Sequence, residues 1–224
     1  MGLLMSYTYL ALAGHLKSMG WKTGYTRKVF HFLTFISVTV LQAIWGLPVV
    51  CLFGGMSSLV LLYVIIRGAG HPLYEAIARE KDEPHRTYFI VIPYLATLVG
   101  GITSNLLFGS YSVIGYLVAG MGDATGEPVG TRFGRHTYAV PSLKSVKSFR
   151  SYEGSAAVML VSAIAIFVGA SVLPSLNVSL RSVIEISLIS VVCAILEAVS
   201  PPGWDNATLQ IVPSLLAFCL LAVG

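Results

Sequence analysis

Stretches of about 20 consecutive apolar residues recur along the whole of this chain of 224 residues. That is the length a helix needs to cross a hydrocarbon layer about 30 Å thick. Inside hydrocarbon only helices and closed barrels satisfy their own backbone groups. The runs are solidly apolar rather than alternating, which points to helices and not to barrel strands. Composition agrees: 55% of residues are hydrophobic, 11% are charged and the mean hydropathy is +0.80. A soluble domain would carry about 25% charged residues. Too few polar side chains remain to cover a water-facing surface.

The expected fold is therefore all-α: a polytopic membrane protein of about eight transmembrane helices, forming one domain over 1–224. The spans fall near Gly2–Leu16, Val29–Trp45, Leu47–Ile66, Tyr88–Phe108, Tyr111–Gly122, Gly154–Leu173, Val183–Val199 and Leu209–Val223. The fifth is short and is expected to continue as a helix into the polar stretch after it. Charge placement supports this arrangement. Lys17, Lys22, Arg27 and Lys28 follow the first span, Arg67, Arg79, Lys81 and Arg86 the third, and Arg132, Arg135, Lys144, Lys147 and Arg150 the fifth. With eight spans all three groups share one face, which the positive-inside rule makes cytoplasmic. Only Arg181 falls on the other face, and the turns near Trp45–Leu47 and Gly109–Ser110 carry no charge. The turn Ser200–Asn206 then also lies on the basic face.

The formal charge of +4 and sequence pI near 9.0 do not imply nucleic acid, which is not an expected partner. In a membrane chain, basic loops reflect topology, anionic lipid or a phosphate-bearing substrate. Cys51, Cys193 and Cys219 all sit in apolar runs, which argues against a disulfide framework or a cysteine-rich metal site. The run Gly2 to Ala13 has no basic segment before it, so a cleavable signal peptide is not expected. The Asp82–His85 patch reads as a solvated loop, and His71 before Pro72 as a turn.

The stretch GMGDATGEPVGTRFGRHTYAVPSLKSVKSFRSYEG, from Gly120 to Gly154, carries the chemistry. Asp123 stands at the end of an apolar span, where an acid is costly and defaults to a functional role. Asp123 and Glu127 are four apart and share one face of a continuing helix. Such a pair suits a magnesium ion, which takes one or two carboxylates plus substrate phosphates. Gly122, Gly126, Gly130 and Gly134 follow at four-residue spacing, allowing close approach of a ligand backbone or of a packing helix. Five basic residues then run from Arg132 to Arg150. Arg and Lys suit phosphate oxygens. Together these features suggest a nucleoside triphosphate with its metal.

GDATGEPVGTRFG followed by RSYEG resembles the motif shared by the CTP-dependent lipid alcohol kinases (dolichol kinase, phytol kinase and the CTP-using diacylglycerol kinase) and by phosphatidate cytidylyltransferase. RKVFH, from Arg27 to His31, resembles the Arg-Lys-x-x-His of phytol and dolichol kinase-like proteins. EAVSPPGWDNATLQIVP, from Glu197 to Pro213, resembles their ending. The His-Gly-Gly and Asp-Arg signature that ends the cytidylyltransferases is absent. Arg150 stands where Lys is common in the motif and keeps the charge.

The resemblance implies γ-phosphoryl transfer from CTP to a long-chain isoprenoid alcohol at the membrane surface, giving the lipid monophosphate and CDP. Membrane lipids, the lipid alcohol and CTP are the implied partners, and magnesium is the implied cofactor. Asp123 is the expected metal ligand, with Glu127 or Glu153 as the second. Lys147 and Arg150 are expected to hold the β- and γ-phosphates, with Lys144 assisting, while Ser151 offers a hydroxyl to metal or phosphate. Gly126 and Gly130 are expected where the nucleotide comes close, and Arg27 and Lys28 near phosphate. Asp205 and Asn206 would complete the metal site or accept the alcohol proton, and His31 would bond the acceptor hydroxyl or a phosphate. Glu197 sits where it can face this site. A phosphatidate cytidylyltransferase, making CDP-diacylglycerol, and a CTP-dependent diacylglycerol kinase are the enzymatic alternatives. A transporter fits less well, because the polar residues gather at one surface rather than at mid-bilayer.

Overall fold

The computed structural model describes residues 1–141, 148–173 and 180–221. The chain is 82% helical and packs into two compact units, Met1–Val91 and Ile92–Gly224. Five helical segments among the described residues are long and apolar enough to cross a bilayer: Thr23–Trp45, Leu47–Arg67, Tyr88–Phe133, Tyr152–Val172 and Ser182–Val199. The first expected span falls on a helix of 17 residues and the eighth on the shorter Asp205–Leu221. The fourth and fifth run together within Tyr88–Phe133. Only 17% to 39% of the most apolar window in each of the five is buried. Outer faces of that kind, with Ile66 and Leu106 at least 70% exposed, belong in lipid, and the protein is an integral membrane protein.

The first unit is built on α1 (Gly2–Ser18), α2 (Thr23–Trp45) and α3 (Leu47–Arg67). Gly46, at φ +76°, makes the chain reversal between α2 and α3, and Pro48 opens the next helix where its missing N–H costs nothing. Ser6 and Ser57 hydroxyls bond at 2.6 Å and Tyr9 bonds Ser37 at 2.8 Å, so α1 is tied to both neighbours by small polar contacts. After α3 comes α4 (Pro72–Glu75) and a 3₁₀ turn at Glu80–Asp82. Of the Asp82–His85 patch, expected to be a solvated loop, Glu83 and Pro84 are exposed and His85 is half-buried, and Asp82 is the exception. Asp82 is only 3% exposed and takes Arg79 Nε at 2.8 Å. Arg86 Nη2 holds Glu75 at 2.5 Å and also donates to the Ala78 carbonyl. Lys17 holds Glu80 at 2.7 Å.

In the second unit, α5 (Tyr88–Phe108) enters from the unit boundary and ends at Gly109, at φ +56°. From there α6 (Ser112–Leu117), a π-helical turn (Val118–Gly122) and α7 (Asp123–Phe133) form one unbroken helical run, as the sequence predicts for the fifth span. A two-stranded antiparallel ribbon follows, β1 (Thr137–Val140) with β2 (Ser148–Ser151), pairing Tyr138 with Arg150. An all-α reading leaves this stretch as loop. Then come α8 (Tyr152–Val172), α9 (Leu180–Val199) and α10 (Asp205–Leu216). Helix α8 packs on α7 and α9, and α10 packs on α6 and α9. Fully buried Ile114, Val158, Ile166, Ile189 and Leu209 fill the core between them. Beside it runs a polar seam: Asn105 Nδ2 donates to the Gly101 carbonyl at 3.0 Å and to Tyr116 Oη, and Ser112 Oγ donates to Asn105 Oδ1 at 3.2 Å. In hydrocarbon such internal pairing is what makes buried polar side chains tolerable.

Candidate active site

The helix that carries Asp123 is set by the π turn before it. An extra residue in the turn shifts the phase of the residues that follow, a device that recurs at functional sites. Asp123 opens α7 and is 5% exposed. Glu127, half-buried, follows one turn later on the same face.

The glycine series of α7 is turned toward the start of α8. A Cβ on Gly122 would meet Ser162 Oγ at 2.5 Å, one on Gly126 would meet Val158 Cγ2 at 2.9 Å, and one on Gly130 would meet Ser151 Oγ at 2.9 Å. Gly154 completes the fit, since its own Cβ would stand 2.8 Å from the Gly126 carbonyl oxygen. The close approach these glycines allow is therefore between two helices. Gly126 also borders the polar cluster: its Cβ would lie 3.6 Å from Glu197 Oε1.

Residue 150 is where the distant segments meet. β2 presents Arg150 to the end of α9 and the start of α10. Arg150 Nε pairs with Glu197 Oε1 at 3.0 Å, and Nη2 pairs with Asp205 Oδ2 at 2.8 Å. The side chains are 15%, 9% and 9% exposed in that order, so these are buried ion pairs and not surface decoration. Asp205 is fixed further by its other oxygen, which accepts the backbone N–H of Gly203 at 3.1 Å and of Asn206 at 3.0 Å. Both oxygens are thus engaged, which suits an anchor for Arg150 better than a proton acceptor. Nη1 of Arg150 is buried and has no hydrogen-bond partner among the described residues.

The neighbours of this cluster have structural duties. Ser151 caps α8, its Oγ accepting the Gly154 N–H at 3.0 Å, a contact worth about 1 kcal/mol. Asn206 Nδ2 donates to the Pro93 carbonyl and to Thr97 Oγ1, each at 3.0 Å, clamping α10 to α5. Glu153 bonds His136 Nδ1 at 2.9 Å, and the His136 carbonyl accepts the Tyr152 N–H at 3.0 Å, so the pair ties β1 to α8. Glu153 precedes Gly154, whose Cβ position lies 3.4 Å from Gly130 Cα. Arg132 and Arg135 are exposed. Lys144 and Lys147 lie outside the described residues.

Arg27, Lys28 and His31 belong to the first unit, half-buried in the first turns of α2, and the His31 ring packs on Phe35 at 4.6 Å between centroids. Among the described residues no group of three or more His, Cys, Asp and Glu is arranged to hold a metal on its own. Glu197, to which the sequence assigns no definite role, is the member that the structure adds to the cluster. Its only signal in the sequence is an acid in the last turn of an apolar helix, just before a Ser-Pro turn. Comparison with family models, with curated proteins and with solved structures gives no match to the chain.

Proposed function

We propose that this protein is a membrane lipid alcohol kinase that uses CTP, with magnesium, to phosphorylate a long-chain isoprenoid alcohol at the cytoplasmic surface. The observation that carries this reading is the ion-paired cluster of Arg150, Glu197 and Asp205. It joins the two sequence segments, RSYEG and EAVSPPGWDN, on which the resemblance to this class rests, although they stand 55 residues apart. A buried guanidinium with one N–H edge left over is suited to a phosphate oxygen.

Asp123 and Glu127, one turn apart on α7, fit a magnesium ion of the kind that takes two carboxylates and leaves its other positions to substrate phosphate and water. They do not form a protein-only cage, which agrees with a metal that arrives on the nucleotide. That ion would neutralise charge on the transferred phosphoryl group. The chain's own part is positioning. Arg150 holds the γ-phosphate, Asp205 and Glu197 hold Arg150, and the α7–α8 glycine contact sets the depth of Asp123. Lys144 and Lys147 are proposed to add phosphate contacts. In the reaction the bond from the γ-phosphorus to the β-bridging oxygen breaks, the alcohol oxygen bonds phosphorus, CDP leaves and the hydroxyl proton passes to solvent or to a nearby carboxylate.

The test is a transfer assay on purified protein in lipid with magnesium. CTP and ATP, each labelled at the γ-phosphate, are offered in parallel with phytol, a polyprenol and diacylglycerol. Label is expected in an isoprenoid alcohol from CTP and is expected to vanish in Asp123→Asn. Label in diacylglycerol alone would reassign the acceptor. No labelled lipid, with pyrophosphate released on adding phosphatidate, would replace the kinase by a cytidylyltransferase.

A further inference from the structure

The β1–β2 ribbon has two unlike faces. Cross-strand partners project to the same side of a ribbon, and neighbours along a strand to opposite sides. Tyr138 and Arg150 are partners on the side that the fold uses. Tyr138 Oη bonds Ser155 Oγ at 2.6 Å and its ring lies 5.0 Å from that of Tyr152, while Arg150 meets Glu197 and Asp205. Ala139 and Phe149 are the partners on the other side, and both are exposed, Phe149 to 63%. A ribbon with one face in water would carry polar residues there. This one carries a phenyl ring.

The place of the ribbon in the fold says what meets that ring. β2 runs directly into α8, a helix of 21 residues apolar enough to cross a bilayer. The ribbon therefore lies where that helix leaves hydrocarbon. Two more rings are exposed at the same junctions: Phe133, the last residue of α7, at 59%, and Tyr152, the first of α8, at 66%. Trp204, next to Asp205, is 46% exposed. Aromatic rings gathered at one end of a set of spans mark the headgroup level. Charge narrows the occupant. Arg132 and Arg135, between α7 and β1 or in the last turn of α7, are exposed, and the Arg132 guanidinium lies 5.4 Å from the centre of the Phe133 ring. The acid that follows the ribbon, Glu153, is engaged with His136 at 2.9 Å. Exposed guanidinium groups beside exposed rings match a lipid phosphate above an acyl boundary. We propose that the outer face of the ribbon docks on anionic lipid of the adjoining leaflet, with Phe149 entering the acyl boundary and Arg132 and Arg135 holding the lipid phosphate. Phe149 and Arg150 are neighbours on a strand of four residues, so docking on one face steadies Arg150 on the other. The proposal does not depend on the kinase reading.

The experiment reads lipid contact and not phosphoryl transfer. The full chain carrying Phe149→Trp is reconstituted in mixed vesicles of phosphatidylcholine and phosphatidylglycerol. Bromine, which quenches indole on contact, is placed on the acyl chains of one lipid or of the other in equal amounts. Emission of the unsubstituted chain, from Trp21, Trp45 and Trp204, is subtracted. The added indole is expected to be quenched by both lipids, and more strongly by brominated phosphatidylglycerol. Arg132→Gln and Arg135→Gln are each expected to lower the association of phosphatidylglycerol relative to phosphatidylcholine about fivefold. High salt is expected to act in the same direction. If Phe149→Trp does not fold, Tyr152→Trp serves as the probe. An indole quenched by aqueous iodide and by neither lipid places the ribbon in water and overturns the proposal. Equal quenching by the two lipids overturns it as well, as does a preference for phosphatidylglycerol that both arginine variants leave unchanged. The kinase reading stands or falls separately, on the transfer assay.

Discussion

The segment between α3 and α5 and the cluster around Arg150 are both mixed-charge regions bordering apolar helices, yet they spend their charges differently. In the first unit Glu80 pairs with Lys17 and Asp82 with Arg79, while Arg86 takes Glu75 and, at 3.5 Å, the more exposed Glu83. Arg86 is further satisfied by the Ala78 carbonyl and lies 5.3 Å from the centre of the Tyr74 ring. Such pairs fasten a loop, although Arg86 Nε, like Arg150 Nη1, is buried without a hydrogen-bond partner among the described residues. In the second unit two buried acids converge on one arginine, which keeps a buried N–H group without a described partner. An incomplete pairing costs stability, because desolvation of buried charges is recovered only when every donor and acceptor is used. What separates the two regions is burial: Glu197 and Asp205 are each 9% exposed, whereas Glu75, Glu83 and Glu80 are 28%, 63% and 64% exposed.

Asp123→Asn gives the largest expected effect. It removes one charge from a buried helix start and is expected to lower lipid phosphorylation about a thousandfold, with the folded protein retained. Labelled-product formation measures the first and thermal unfolding in detergent the second. A loss of folding equal to the loss of activity would make Asp123 a structural acid like those of the first unit.

Matched arginine substitutions sharpen the contrast next. Arg150→Gln removes the guanidinium paired with buried Glu197 and Asp205 and is expected to cost about 3–5 kcal/mol, with loss of phosphoryl transfer. Arg86→Gln leaves Glu75, whose side chain is 28% exposed, able to reach water. Its expected cost is about 1–2 kcal/mol, with phosphoryl transfer unchanged. Denaturant unfolding alongside the transfer assay checks both. Similar costs for the two would erase the distinction drawn from burial.

Glycines give a third comparison. A Cβ on Gly115 in α6 would collide with the Gln210 carbonyl oxygen and with Ser214 Oγ, both on α10. Neither the carbonyl nor the helix carrying it can yield cheaply, so Gly115→Ala is expected to destabilise by about 1–3 kcal/mol. Gly55, exposed on α3, has nothing within 4 Å of its Cβ position. Gly55→Ala is expected to be neutral or stabilising by up to about 1 kcal/mol. Unfolding midpoints of the two variants decide the matter, and equal destabilisation would contradict the packing described for the second unit.

The helices were legible because a membrane span writes itself as a run of apolar residues, and the continuation of the fifth span past Asp123 followed from the helical spacing of its acids. The ribbon was not legible. Its strands, TYAV and SFRS, are four residues each, too short for a period of two to stand out, and they lie within a stretch whose charges already had a topological explanation. Of the candidate site, Asp123, Arg150 and Asp205 are the residues that type and motif single out. That Glu197 shares Arg150 with Asp205 was not, because a contact across the turn between α9 and α10 depends on how that turn folds. Ser151 and Asn206 were readable as polar residues of the motif, while their duties as a helix cap and as an interhelix clamp depend on which backbone groups stand nearby. The burial of Asp82 in the first unit's loop was missed for a related reason: composition marks it as polar, and its pairing with Arg79 lets it be buried.

The smallest expected effect concerns the most exposed of the one-to-one pairs. Hydrogen bonding from Lys17 holds the Glu80 carboxyl at about 2, well below its ordinary value of 4.5. Thr23 Oγ1 adds a bond at 3.0 Å. Because the folded value is lowered, the pair stabilises the protein above the unfolded value of 4.5, and that contribution is lost as pH falls through about 2. The Glu80 side chain is 64% exposed, so solvent screens most of the shift and the pair is worth at most about 1 kcal/mol. Lys17→Gln is therefore expected to lower the unfolding midpoint at neutral pH by about 1–3 °C. The gap from wild type should narrow between pH 4.5 and 2, and in high salt. The Arg150→Gln deficit, set by buried charge, should persist in the same salt. Equal salt sensitivity of the two deficits would mean that the Arg150 cluster is open to water in the folded protein, and the contrast between the two regions would then fail.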